Sequence, residues 1–449
     1  MSFFFSARQA LRPAGALAAA IALASCSNDI LNVGTPDVIS ADVLGGSLGA
    51  TTLRNGAMQD FTQSFSGSID AYATASGNLG DEIQTTDTFA DRYNTDQRNQ
   101  SELVGGSINT TYNGLQLARS GLTSAIILWT KVKPTNKDSL SEMYAVRALA
   151  ENLFAEGYCA GVPFSSVASD GTFQYGQPLT TVQMLATAGS SADSAVTLAN
   201  GANYKNLAAV IKGRILVNQG QYAQAATAVS AVPTSYKYFV YHSSATPRQN
   251  NGIYAATFTA GSRYTAQTKE GVNGLDYLTT PADPRAPWTA STRIGFDGTS
   301  SNLPVQQKYN VLNAPIAVAD GIEARLIEAE ARVQGGAQSD RDAAFALLNT
   351  LRATGLATAI APIALAPTTQ ADAVDLLFKE RAFWMWLTGH RLGDMRRLVR
   401  QYKRDANTVF PTGPMRYRPG SVYGTQTVMV IPFAERNNPN FKGCIDMTP

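Results

Sequence analysis

Apolar residues recur at the three-and-four spacing of one helical face over four separated stretches of this chain. In the first, Tyr112, Leu115, Ala118, Leu122, Ile126 and Trp129 share a face and Pro134 closes the element. A second helix follows, with Ser139-x-x-Glu142 as its expected capping box. It runs through Met143, Val146, Leu149, Leu153 and Tyr158 to a stop at Gly161-Val162-Pro163. A short link between two such helices predicts a hairpin over about 107–161.

The pattern returns at 203–231, where Tyr204, Leu207, Ile211 and Ile215 lead into the turn Asn218-Gln219-Gly220-Gln221 and then Tyr222, Ala225, Ala226 and Val229. It returns again at 318–353, with Ile322, Leu326, Ala329 and Val333, a Gly335-Gly336 turn, then Ala344, Leu347 and Leu351. A fourth stretch, 372–400, carries Leu376, Leu377, Phe383, Trp384 and Leu387, resumes after Gly389 at Leu392, Met395 and Val399, and reads as a helix pair or one helix loosened in the middle. A tandem helical array repeats about every 34 residues, and these pairs are spaced more widely, so the repeats are interrupted.

Between them lie segments of another character. Residues 60–106 are rich in Gly, Ser, Thr, Asp and Asn and predict short helices joined by long loops. Residues 232–317 hold seven prolines, Pro233 to Pro315, together with many aromatics. Flexible linkers avoid aromatics, so this segment is expected to pack. Thr425 to Met429 reads as a short β-like run.

Composition narrows the function. The 449 residues are 44% hydrophobic and 16% charged, with a net charge of +2, so no charge excess steers the chain to nucleic acid. The histidines are His242 and His390 and the cysteines Cys26, Cys159 and Cys444, with no CxxC or HExxH spacing. No zinc, haem or other cofactor is expected.

Arg8 and Arg12 precede an apolar run, Ala16 to Ala24, long enough for a signal-peptide core and too short for a membrane-spanning helix. The run ends in Leu23-Ala24-Ser25-Cys26, which resembles the bacterial lipobox. Residues 1–25 are therefore expected to be removed and Cys26 lipidated, and Ser27 after it favours the outer membrane. An exported compartment permits a bridge between Cys159 and Cys444, the alternative being a pair of buried thiols.

Glu380-Arg381, the aromatics, Gly389-His390-Arg391, Asp394 and Arg396-Arg397 resemble the C-terminal ER…GHR…D…R signature of the SusD-like (RagB/SusD) outer-membrane lipoproteins. Val430-Ile431-Pro432, Glu435 and Asn438-Pro439 are similar to that family's terminal motif. Trp384 and Thr388 stand where the family commonly has Glu, and Val430 replaces a proline. The resemblance implies a mainly α fold, in which interrupted tetratricopeptide-like helix pairs form a right-handed scaffold with long irregular loops and minor β, as one domain over 26–449. It also implies a non-enzymatic, lipid-anchored protein on the cell exterior. Such a protein binds an oligosaccharide, or sometimes a peptide, and delivers it to a SusC-like TonB-dependent transporter.

In such proteins the irregular segments, here about 60–106 and 232–317, build the ligand side. The candidate contacts are Asp81, Glu82, Arg92 and Tyr93 in one, and Tyr277, Trp288 and Phe296 in the other, because flat rings cover sugar faces while carboxylates and guanidiniums bond hydroxyls. Asp394, three residues from both Arg391 and Arg397, is expected to pair with them on the helix surface. Glu380, Arg381, His390, Arg391 and Asp394 are thus read as structural, with Glu380, Arg391 and Asp394 forming a partly buried ion-pair cluster. A lipid-anchored helical-repeat scaffold for envelope assembly is the alternative. A glycan hydrolase gains little from Asp81 and Glu82, since neighbours on a strand face opposite ways.

Overall fold

The computed structural model describes residues 45–168 and 172–448. The signal segment and Cys26 lie outside them. The chain divides into Met1–Gly49 and Ala50–Pro449, and apart from the first three residues of the opening helix everything that follows lies in the second unit.

Helices supply its frame: α1 (Ser47–Ser66), α2 (Tyr72–Leu79), α3 (Ala90–Asp96), α4 (Ser107–Val132), α5 (Lys137–Gly157), α6 (Thr181–Leu198), α7 (Ala202–Asn218), α8 (Tyr222–Val229), α9 (Gly321–Val333), α10 (Gln338–Thr354), α11 (Gln370–Trp384) and α12 (Arg391–Arg400). Each apolar stripe is buried by its neighbours. The α4 positions Tyr112, Leu115, Ala118 and Leu122 are at most 1% exposed, because α4 packs on α5, and α5 also meets α6, α7 and α12. Helix α8 lies on α7 and α9, and α9 on α10 and α11.

Two cores result. A large one gathers α1, α2 and α4 to α8, while a second, between α9, α10 and α11, is filled by Leu326, Phe345, Leu348, Leu377 and Phe378. The fold is mainly α.

The α7 to α8 turn needs a left-handed residue, and Gly220 supplies it at φ +75°. The start of α5 departs from the expected box. Asn136 caps it by accepting from the Ser139 amide at 3.2 Å, and Glu142 instead takes the Tyr238 hydroxyl at 2.6 Å. Helix α6 falls in a stretch where the sequence reading placed no element. Thr180 and Gln183 form a full capping box at its head, so the local signal for its start was present.

Short antiparallel strand pairs brace the loops. β1 (Ile83–Thr85) pairs with β3 (Tyr264–Ala266), and β2 (Lys237–Val240) with β4 (Ile316–Asp320). The two irregular segments are thereby joined to each other and to the repeats. At the C-terminus, Tyr158 bridges Met429, Ala160 bridges Asp446, and a Cys159–Cys444 disulfide, with Cα atoms 5.7 Å apart, ties the tail to the end of α5. No described helix is long and apolar enough to cross a membrane.

Candidate functional site

The C-terminal signature folds into a buried ionic layer. Helix α11 ends at Trp384, and the chain turns through Leu387 (φ +55°) and Gly389 (φ +74°) before α12 begins at Arg391. The left-handed conformation favours glycine there, and a side chain on Gly389 would also sit tightly against Phe65 at 3.2 Å. The Leu387 amide donates to Glu82 Oε1 at 2.7 Å, which ties the turn to the start of β1.

The pairing differs from the helix-surface expectation. Asp394 accepts from Arg397 at 2.8 Å and from Arg381 at 2.9 Å, but not from Arg391. The Arg391 guanidinium turns across the core and grips Asp81 through Nε at 2.6 Å and Nη2 at 2.7 Å. Glu380 takes Arg285 at 2.7 Å and Arg352 at 2.6 Å. His390 sits with Nδ1 2.8 Å from Thr388 Oγ1 and Nε2 3.1 Å from Glu323 Oε1.

Glu380, Arg391 and Asp394 therefore belong to separate pairs. They are also fully inside, at 3%, 6% and 5% exposure, and not partly buried. Burial would raise the Asp394 carboxyl, but Arg381 and Arg397 hold it well below the usual carboxylate range. Charges this deep persist because each has an opposite partner in direct contact.

Asp81 and Glu82 open directly into β1, so the layer fixes the loop beyond it. Asp96 Oδ2 takes the Thr85 amide at 2.8 Å, and the Thr86 amide donates to the Arg263 carbonyl at 2.8 Å. These bonds bring Asp87, Phe89 and Arg92 against Arg263. Asp87, wholly buried, accepts from Arg92 at 2.7 Å and from Arg263 at 2.8 and 2.9 Å. Arg92 also holds Asp70 through Nε at 2.7 Å and Nη2 at 2.6 Å. Burial works to raise the Asp87 carboxyl, yet the bonds from Arg263 and Arg92 outweigh it and lower its pKa.

Above this carboxylate the Arg263 guanidinium lies 3.6 Å from the Phe296 ring centre and 5.0 Å from that of Phe89. The two rings are 6.5 Å apart and stand 42% and 50% exposed. Beside them Arg418 covers Tyr93 at 4.3 Å and donates to the Asp87 carbonyl, and the Tyr93 hydroxyl is 2.8 Å from Ser421 Oγ. The product is an outward face of flat rings and guanidinium groups, anchored from beneath by carboxylates. Rings of this kind cover the apolar face of a sugar, and guanidinium and hydroxyl groups bond its hydroxyls.

Of the expected contacts, Arg92, Tyr93 and Phe296 come together here, from segments far apart in sequence. Three others do not reach the surface. Asp81 and Glu82 are 0% exposed and belong to the ionic layer. Tyr277, also 0% exposed, packs on Phe383 at 5.2 Å. Their assignment as ligand contacts is corrected on that ground, since a side chain with no accessible surface meets no ligand. Trp288 is half-buried elsewhere, its indole donating to the Thr279 carbonyl at 3.1 Å. Phe89, Arg263 and Arg418 are the members the sequence reading did not single out. No local pattern marks them.

A cavity of about 800 Å³ lies on the repeat side among α6, α7 and α8, bounded by Asp193, Lys205, Leu216 and Gln224. It brings no group of aromatic rings together.

No protein-family model matches the chain, and no curated protein matches it in sequence. Solved structures do resemble it. A SusD-like carbohydrate binding protein from Bacteroides vulgatus ATCC 8482 superposes with a TM-score of 0.60 at 16% identity, covering 88% of this chain and 97% of that one. A SusD superfamily protein from Bacteroides fragilis gives 0.63 at 15%, covering 88% and 99%. One from Parabacteroides distasonis ATCC 8503 gives 0.63 at 14%, covering 88% and 98%. With most of its length matched in this way, the chain has the SusD-like fold.

Proposed function

We propose that this chain is an outer-membrane lipoprotein, exposed on the cell surface, that binds an oligomeric nutrient, a glycan in the first place, and delivers it to a SusC-like TonB-dependent transporter. The observation that carries the reading is the pair of exposed rings, Phe89 and Phe296, bracketing Arg263 over the buried carboxylate of Asp87. It supplies stacking surface and fixed hydrogen-bond donors with little ordering cost on binding. The SusD-like fold and the lipobox-like Leu23-Ala24-Ser25-Cys26 support the same reading. Binding without turnover is part of it, and so is a lipid anchor at Cys26.

The test is recovery of the tagged protein from outer membranes of its own host in mild detergent, with mass spectrometry of its companions. A TonB-dependent β-barrel in near-equal amount supports the proposal. Envelope proteins without such a barrel would overturn it in favour of the lipid-anchored repeat scaffold.

A further inference from the structure

A second cavity, of about 360 Å³, shares no lining residue with the Phe89 and Phe296 face. It is bounded by the β2 and β4 strand pair, the loop around Pro287 and the C-terminal end of α11. Ligand pockets span roughly 300–1,000 Å³, so this one sits at the end suited to a single ring. Lys237 and Pro315 at its rim are exposed, while Tyr309, Trp384 and Thr388 beneath are buried.

Its charges are unbalanced. Arg285 reaches it already neutralised by Asp283 and Glu380. Lys308 donates to the Trp386 carbonyl at 2.5 Å. Among the described residues neither Lys308 nor Lys237 makes an ion pair. Burial lowers the Lys308 ammonium to about 8, with Glu82 and Asp320 acting to raise it and Lys237 to lower it. The nearby carboxylate, Asp320, spends one oxygen on the Glu323 amide at 2.7 Å as the cap of α9. Flat walls complete the site: Phe239, Tyr309 and Trp384, with Pro287 and Pro315.

A ring-walled cavity of this size, lined by two ammonium groups outside any salt bridge and by one carboxylate, that of Asp320 on the strand position facing Lys237, selects a molecule carrying both an anionic group and hydroxyls. We propose that it is a second binding site, for a single sugar ring bearing a carboxylate, of the hexuronate class. Lys237 and Lys308 hold the ligand's carboxylate, Asp320 accepts from a hydroxyl, and the Trp384 and Tyr309 rings line the ring's faces. The site is independent of the transporter proposal.

The experiment is calorimetric titration of the purified full chain with sodium glucuronate and, separately, with glucose. Saturable glucuronate binding with no glucose binding is expected. Lys237→Met, at an exposed position that leaves the core intact, is expected to weaken it by about tenfold or more, whereas Leu365→Ala, exposed and outside the cavity, leaves it unchanged. Absence of glucuronate binding, equal binding of glucose, unchanged affinity in Lys237→Met, or an equal loss in Leu365→Ala would each overturn the proposal.

Discussion

Arg391 and Asp81, 310 residues apart in sequence, form a two-point ion pair at 2.6 and 2.7 Å in the middle of the protein. The pair joins the first residue of α12 to the entry of β1, and β1 carries the chain on to Asp87 and Phe89. The C-terminal signature thus reaches the outer face through buried contacts to Asp81 and, at the Leu387 amide, to Glu82. Asp81 outweighs the desolvation that would otherwise lower the pKa of Arg391, leaving it raised and the guanidinium charged.

Replacing one partner alone leaves the other charge buried and unpaired. Asp81→Ala or Arg391→Leu is expected to cost about 3–5 kcal/mol, measured by urea unfolding. An apolar pair, Asp81→Leu with Arg391→Met, is expected to recover much of that loss. Additive losses in the double variant would show that the ion pair is not what these positions share.

Glu82 next to Asp81 makes stability depend on pH. Burial pushes its carboxyl up to about 8 from an ordinary 4.5, against the lowering effect of the Leu387 amide. Between those values the folded chain holds the proton that the unfolded chain has released, so this residue's contribution is present below 4.5 and lost as pH rises through 8. Glu82→Gln is expected to flatten the decline in unfolding free energy over that interval. An unaltered slope would place the dependence on other groups.

At the outer face, Phe89→Ala and Phe296→Ala are each expected to weaken glycan binding by about 0.5–1.5 kcal/mol, the worth of one stacked ring. Both rings stand about half in solvent, so the melting temperature should hardly move. Affinity unchanged in both variants would remove this face from ligand recognition.

The Cys159–Cys444 bridge closes a loop of 285 residues between α5 and the tail. Reduction, or replacement of both cysteines by alanine, is expected to lower stability by about 2–5 kcal/mol, read from denaturant midpoints in oxidised and reduced protein. Coincident midpoints would show that the bridge adds nothing to the backbone bridges at Tyr158 and Ala160 and the side-chain bonds, such as Tyr112 to Glu435, that also hold the tail.

The sequence by itself determined the class of fold. Apolar spacing is set by the helix's own geometry, so the faces of α4, α7 and α9 are legible from residues a few positions apart. Turn chemistry at Gly220 is equally local. The Thr180 and Gln183 box shows that α6 was legible too, although its alanine- and serine-rich face gives a weak apolar stripe.

The partner of each buried charge was decided by tertiary structure alone. Helix spacing offers Asp394 to Arg391 as readily as to Arg397, and nothing local ranks Asp81 above it. The same limit applies to the outer face, where Arg92 on α3 and Phe296 in a distant loop share one face as β1 pairs with β3 and the Asp297 amide bonds the Thr86 carbonyl. Charges and rings act through space, and the distances that decide their partners exist only once the chain has closed on itself.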